Sequence, residues 1–286
     1  MSYRGRFAPS PTGDLHEGSL LAAVASWLRA RQQGGTWLVR VDDIDPPREV
    51  PGSTASILST LASLALHPDE PVWLQSTREG AYRDAFQSLR AGGLVYECWC
   101  SRADLAAGGG VHHGSCLSPP RDRQPAWRLR VGDAVIAWHD LVAGRQTWPV
   151  ADGGDFVVLR ADRLWSYQLA CAVDDAAQGI SEVVRGRDLI DSTPRQILLQ
   201  RLLGLPAPAY AHLPLLVDAS GGKLAKSTRA PAVDADGLPA LRRTLTRLGL
   251  PGAPDSDAAT MLCWALPRFD LASLTGKVAI HMAEPL

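Results

Sequence analysis

A chain of 286 residues with 46% apolar content and a net charge of −1 is long enough to bury the core of one or two domains. No run of about 18 apolar residues occurs, and Met1–Arg6 lacks the apolar stretch of a secretory signal, so a cytoplasmic protein with no membrane contact is expected. The near-zero charge excludes a bulk basic field for nucleic acid and leaves local patches for any RNA contact.

Tyr3 to Ala8 reads as a first strand stopped by Pro9 and Pro11. Ser19 to Gln33 follows a helical period through Leu20, Leu21, Val24, Trp27, Leu28 and Arg31, and Gly34 and Gly35 suit its C-terminal cap. Thr36 to Val41 is then a strand, which opens a parallel α/β unit. A second helix is predicted from about Thr54 to Leu66 with Ser53 as N-cap, and a third over Glu79 to Ala91 with Tyr82, Phe86 and Leu89 on one face. Residues 96 to 125 are rich in Cys, His, Gly and Pro and read as an excursion. Short strands follow at Trp127 to Val131 and Val135 to Trp138. The α/β pattern resumes with a helix from Tyr167 to Gln178, a strand from Glu182 to Arg185 and a helix from Pro194 to Leu203. From about Asp234 the chain reads as a small helical piece.

Two segments carry chemistry. The first, Arg6 to Ser19, leads from strand to helix through Pro9, Pro11, Gly13, His16 and Gly18. A small-residue turn lets a nucleotide approach the backbone, and a helix N-terminus offers free N–H groups to phosphate. The second, Lys223-Leu224-Ala225-Lys226-Ser227, places two lysines three apart after Gly221 and Gly222, suited to a leaving pyrophosphate. Either alone reads as well as an ordinary helix start or a solvated basic loop.

Three of the five cysteines fall within twenty residues, and an odd count argues against disulfides. Cys98 and Cys100, with His112 and Cys116, offer four ligands apt for tetrahedral zinc; His113 is the alternative fourth ligand. Four protein ligands leave no open position, so a structural role is expected. His67, His139, His212 and His281 read as surface or core residues.

Together, His16-x-Gly18 and Lys223-x-x-Lys226-Ser227 resemble the paired signatures of class I aminoacyl-tRNA synthetases. The stretch Arg6 to Gly13 resembles the opening of the glutamyl-tRNA synthetases. So do Arg40 to Arg48, Tyr167 to Asp175, and Val184 to Leu189 followed by Ser192-Thr193-Pro194. The resemblance spans residues 4 to 227. It implies an α/β fold: a Rossmann-type catalytic domain with an inserted, zinc-containing acceptor-type subdomain and a short helical C-terminal piece. The corresponding segments are 1–95, 96–165, 166–230 and 231–286. In the family the insertion has a zinc-binding form that opens with Cys-x-Cys, and short members commonly carry tyrosine where His112 stands.

The resemblance also implies roles. Arg6, Ala8, Ser10, Asp42, Tyr167 and Arg185 match the glutamate pocket. Asp42 stands where the family commonly has a glutamate facing the amino group, and its arm is shorter. An arginine such as Arg185 suits a carboxylate because its planar fork reaches both oxygens. His16, Gly18 and Lys226 match the ATP site, and His16, Lys223 and Lys226, with Mg²⁺, would stabilise charge as glutamyl-adenylate forms. Cys171 replaces the asparagine usual in full-length members, so looser glutamate binding is expected.

Only 59 residues follow Ser227, fewer than an anticodon-reading domain needs. That layout resembles the glutamyl-queuosine tRNA(Asp) synthetases, which activate glutamate without tRNA and attach it to queuosine in the anticodon loop of tRNA(Asp). The expected partners are glutamate, ATP and queuosine-bearing tRNA(Asp), acting on a monomer. The other readings are a fragment that charges a tRNA 3′ end and a non-catalytic amino-acid- or RNA-binding relative.

Overall fold

The computed structural model describes residues 2–107, 111–217, 233 and 237–281. Lys223 and Lys226 lie outside the described residues.

The chain opens with β1 (Arg4–Phe7), α1 (Glu17–Gln32) and β2 (Thr36–Val41). β1 and β2 pair in parallel with Arg4 opposite Thr36. The helix between them starts two residues earlier than its apolar period suggests, because His16 caps it: the Ser19 N–H donates to His16 Nδ1 at 3.2 Å. Its end is a Schellman motif, with Gly34 at φ +58 and the Gly35 N–H bonded to the Ala30 carbonyl at 2.9 Å. A side chain at Gly35 would meet the Tyr3 carbonyl oxygen at 2.4 Å, so the close return onto β1 requires glycine there.

Next come α2 (Ser53–Ser63), β3 (Trp73–Leu74) and α3 (Glu79–Ala91). Ser53 is the first helical residue rather than the cap. Gly52, at φ +85, takes the cap position because the chain must swing out of the short 3₁₀ turn Pro46–Arg48 in a left-handed conformation. Tyr82, Phe86 and Leu89 are buried on one face of α3, each worth about 1.5–3 kcal/mol of apolar transfer.

The following stretch contains β4 (Val95–Cys98), α4 (Arg102–Ala107), β5 (Ala126–Leu129), β6 (Val135–Asp140), β7 (Gly144–Pro149) and β8 (Phe156–Leu159). β4, β5 and β8 form an antiparallel sheet of their own. The β6–β7 hairpin instead joins β10 through Tyr210 and Asp140. After it come α5 (Tyr167–Ala177), β9 (Glu182–Gly186), α6 (Thr193–Leu202), β10 (Ala209–Leu213) and β11 (Leu215–Val217). The chain continues through α7 (Leu238–Arg247), α8 (Ala258–Ala265) and β12 (Ala279–His281).

Two strand groups, the parallel β1-β2-β3 and the mixed β7-β6-β10-β9 with β7 antiparallel at its edge, meet where the Ser181 N–H donates to the Arg4 carbonyl at 2.9 Å. Strand side chains alternate between two cores. Trp37, Val39, Val184 and Ala211 pack with α1, α2, α7 and α8; Leu38, Val183 and Tyr210 pack with α3, α5 and α6. Helices therefore cover both faces of a parallel array, the doubly wound arrangement whose ligand crevice lies at the strand C-termini where the order reverses. No helix among the described residues is long and apolar enough to cross a membrane.

Candidate active site

A cleft of about 540 Å³ opens where the wound sheet predicts it. Its walls are the carboxyl ends of β1 (Arg6, Phe7), β9 (Val184–Gly186) and β10 (Leu213), the loop from Ala8, and the first turn of α1. Seven residues singled out in the sequence line it together: Arg6, Ala8, Ser10, His16, Gly18, Tyr167 and Arg185. The segments flanking the two lysines also reach it. Leu215 and Leu216 line the wall, and the Val233 N–H donates to the Leu15 carbonyl at 2.8 Å beside His16.

Arg185 is 3% exposed and heavily held. Its Nε–H donates to His212 Nε2 at 3.1 Å, Nη1 to Gln196 Oε1 at 2.8 Å, and Nη2 to Thr193 Oγ1 at 2.8 Å and to the Leu189 carbonyl at 3.3 Å. Those acceptors are all neutral groups, and no ion-pair partner of Arg185 occurs among the described residues. A guanidinium fixed in this way at a cleft wall is ready for a carboxylate.

Arg6 is held differently. Its Nε donates to Asp175 Oδ1 at 3.2 Å, and Arg40 Nη1 donates to the same oxygen at 2.7 Å. Arg40 also binds Asp42 Oδ1 through Nε at 2.8 Å. Two buried cations and two buried anions thus balance behind the cleft. Burial pushes the Asp175 carboxyl up, but the Arg6 and Arg40 charges hold it below its ordinary value; for Asp42 burial prevails over the Arg40 charge and its value is raised.

Asp42 stands in this buried layer rather than on the cleft wall. Cys171 shares that layer: its thiol donates to Asp42 Oδ2 at 3.5 Å and accepts from Arg40 Nη2 at 3.7 Å. The thiol thus touches Asp42 and Arg40 and does not line the cleft.

A second constellation sits on the β4-β5-β8 sheet. The ligand atoms of Cys98, Cys100, His112 and Cys116 all lie within 4.8 Å of one another. His112 Nε2 is 3.4 Å from Cys98 Sγ and 3.5 Å from Cys100 Sγ, and the sulfurs of Cys100 and Cys116 are 3.7 Å apart. A tetrahedron with Zn–S bonds of about 2.3 Å and a Zn–N bond of about 2.0 Å has edges of about 3.5–3.8 Å, so the donor set fits zinc. His113 is exposed, whereas His112 is 2% exposed, which settles which imidazole joins the cluster.

The supporting groups fix the tautomer. Tyr96 Oη lies 2.7 Å from His112 Nδ1 and donates to Asp155 Oδ2 at 2.7 Å, so Nδ1 carries the proton and Nε2 turns its lone pair to the sulfurs. Burial and the Arg128 charge keep the His112 imidazole below its ordinary value, which favours the neutral ligand form. Gly154, at φ +66, is required here because a side chain would meet the His112 carbonyl oxygen at 2.7 Å.

Several functional contacts have no local sign in the sequence. Asp140 and His212 are 72 residues apart and meet only because β6 and β10 pair in parallel. Glu17, the first residue of α1, binds Arg243 Nε at 2.8 Å and Arg247 Nη1 at 2.5 Å, which ties α7 to the start of the helix beside His16.

Residues 2–261 match the family model described as tRNA synthetases class I (E and Q), catalytic domain, and the chain belongs to that family. The chain is 48% identical to the curated glutamyl-Q tRNA(Asp) synthetase of Neisseria meningitidis serogroup C (strain 053442), over 99% of both chains. It is 56% identical to the protein of the same name from Xanthomonas axonopodis pv. citri (strain 306), over 99% of this chain and 91% of that one. A solved glutamate tRNA ligase from Elizabethkingia meningosepticum, in complex with its amino acid, superposes with a TM-score of 0.82 at 23% identity. It covers 99% of this chain and 67% of that one, a likeness of fold.

Proposed function

We propose that the protein activates glutamate with ATP in the cytoplasm and transfers the glutamyl group to the queuosine base of tRNA(Asp). The observation that carries this reading is the cleft, where an arginine held by neutral partners, Arg185, faces a helix N-terminus capped by His16. The identity of 48–56% to relatives named glutamyl-Q tRNA(Asp) synthetase supports the acceptor.

Arg185, with Arg6, Tyr167, Ala8 and Ser10, receives glutamate, and Asp42 sets the charge balance behind it. The N–H groups of the first turn of α1, with Gly18 and His16, receive the phosphates of ATP, which enters as its Mg²⁺ complex. An oxygen of the glutamate α-carboxylate attacks the α-phosphorus, and pyrophosphate leaves towards Lys223 and Lys226. A hydroxyl of the queuosine base then attacks the activated carbonyl carbon, loses its proton and expels AMP. Cys98, Cys100, His112 and Cys116 would hold zinc with no open position, so the metal supplies rigidity to the inserted sheet and no reaction step.

The test is glutamate-dependent exchange of labelled pyrophosphate into ATP without tRNA. The reading expects exchange in the wild type and a loss of orders of magnitude in Lys226→Ala. No exchange in the wild type, or near-normal exchange in the variant, would reject it.

A further inference from the structure

Asp140 and His212 stand outside the cleft wall, yet His212, held by Asp140, meets the one wall arginine that has no charged partner among the described residues. Both are fully buried, at 0% exposure. Asp140, at the end of β6, takes three backbone N–H groups on Oδ1, from Val142 at 3.1 Å, Ala143 at 2.8 Å and His212 at 3.1 Å. Its other oxygen, Oδ2, lies 2.5 Å from His212 Nδ1. Register places His212 of β10 directly opposite Arg185 of β9.

These contacts dictate proton positions. An ionised carboxylate only accepts, so His212 Nδ1 must carry a hydrogen. The neutral imidazole then has its lone pair on Nε2, which faces the Arg185 Nε–H at 3.1 Å. Thr193 Oγ1, 3.1 Å from the same nitrogen, also accepts from Arg185 Nη2, so the hydroxyl and the imidazole grip the guanidinium from one side. Tyr210, whose ring stacks near-parallel to His212 at 7°, backs the same guanidinium at 5.3 Å.

We propose that Asp140 and His212 are positioning residues for substrate: Asp140 fixes the His212 tautomer, and His212 in turn aims the Arg185 guanidinium at a carboxylate in the cleft. This rests on the reading of Arg185 as a carboxylate-binding residue. A neutral imidazole between Asp140 and Arg185 keeps the anion from pairing with the guanidinium directly, so the cation stays available to the ligand.

Asp140→Asn tests the relay through its hydrogens. The three backbone donors claim the amide oxygen, which turns the amide NH₂ to His212 Nδ1. The proton must then move to Nε2, where it opposes the Arg185 Nε–H; a carboxylate-to-amide change of this kind imposes the wrong tautomer while keeping the shape. In pyrophosphate exchange, the KM for glutamate should rise about tenfold or more, as expected for losing a hydrogen bond to a charged group, while the KM for ATP stays within about twofold. His212→Asn, too short to reach Arg185, should behave alike. His212→Gln, whose amide oxygen falls near the place of Nε2, should restore most of the glutamate affinity. Nitrogen NMR of the wild-type protein should show His212 protonated at Nδ1 and bare at Nε2.

Equal rises in both KM values, failure of His212→Gln to outperform His212→Asn, or a proton on Nε2 would overturn the proposal. Arg185→Gln separates the two levels. An unchanged glutamate KM in that variant removes the carboxylate-binding role of Arg185 itself, whereas a raised KM there with normal Asp140→Asn and His212→Asn removes only the relay.

Discussion

Arg40 Nη1 donates to Asp175 Oδ1 over 2.7 Å, with 0% and 1% of the two side chains exposed. The same oxygen serves Arg6, so one carboxylate holds two buried guanidinium groups behind the substrate cleft. Asp175→Asn keeps the shape but leaves a net positive charge in the layer. Removing one partner of a buried ion pair costs about 3–5 kcal/mol, and chemical denaturation should show a loss of that size. A change under 1 kcal/mol would mean that the layer is not charge-balanced as described.

Glu17 links the helix beside His16 to α7. Burial raises its carboxyl, but the Arg247 and Arg243 hydrogen bonds bring it below the ordinary 4.5. A depressed carboxylate contributes stability that is present above the unfolded value and is lost as pH falls through the folded one. Stability should therefore fall as the pH drops below about 4.5, and Glu17→Gln should flatten that part of the profile. At pH 7 the same variant should lose about 1–3 kcal/mol, the cost of weakening hydrogen bonds to charged groups. An unchanged acid limb would contradict the Glu17 triad.

Cys171 touches Asp42 and Arg40 only through long sulfur contacts. An asparagine there would make shorter, stronger bonds to both. Cys171→Asn should lower the KM for glutamate by steadying the charged layer under the cleft. An unchanged or higher KM would count against this.

The cluster of Cys98, Cys100, His112 and Cys116 should carry zinc. Elemental analysis of protein purified without a histidine tag should give one equivalent per chain, and less than half would refute the assignment. Because folding brings the four ligand atoms together, strong chelation should lower Tm by about 5 °C or more. Cys116→Ser, which keeps an acceptor for the Trp99 N–H but replaces a thiolate ligand by a poor one, should reproduce that shift.

The β1–α1–β2 unit was legible because glycine and proline punctuate it and its apolar period is clear; β2 and α3 fall on their expected bounds. The start of α1 was less so, because a capping histidine carries no helical period of its own. Seven residues expected at the glutamate and ATP sites meet in one cleft, each on a motif with its own local signature. Asp140, His212 and Asp175 gave no such sign of their roles: Asp140 meets His212 across 72 residues and Asp175 meets Arg6 across 169, pairings that the tertiary fold sets and no local pattern encodes. The choice between His112 and His113 needed their burial, which depends on Tyr96 of β4 and Asp155 just before β8 closing over the His112 ring.

The most direct test of the account is transfer of labelled glutamate to three purified RNAs: tRNA(Asp) with queuosine, tRNA(Asp) lacking it, and tRNA(Glu). The account predicts label on the first alone. Label on tRNA(Glu), or on tRNA(Asp) regardless of queuosine, would contradict the assigned acceptor.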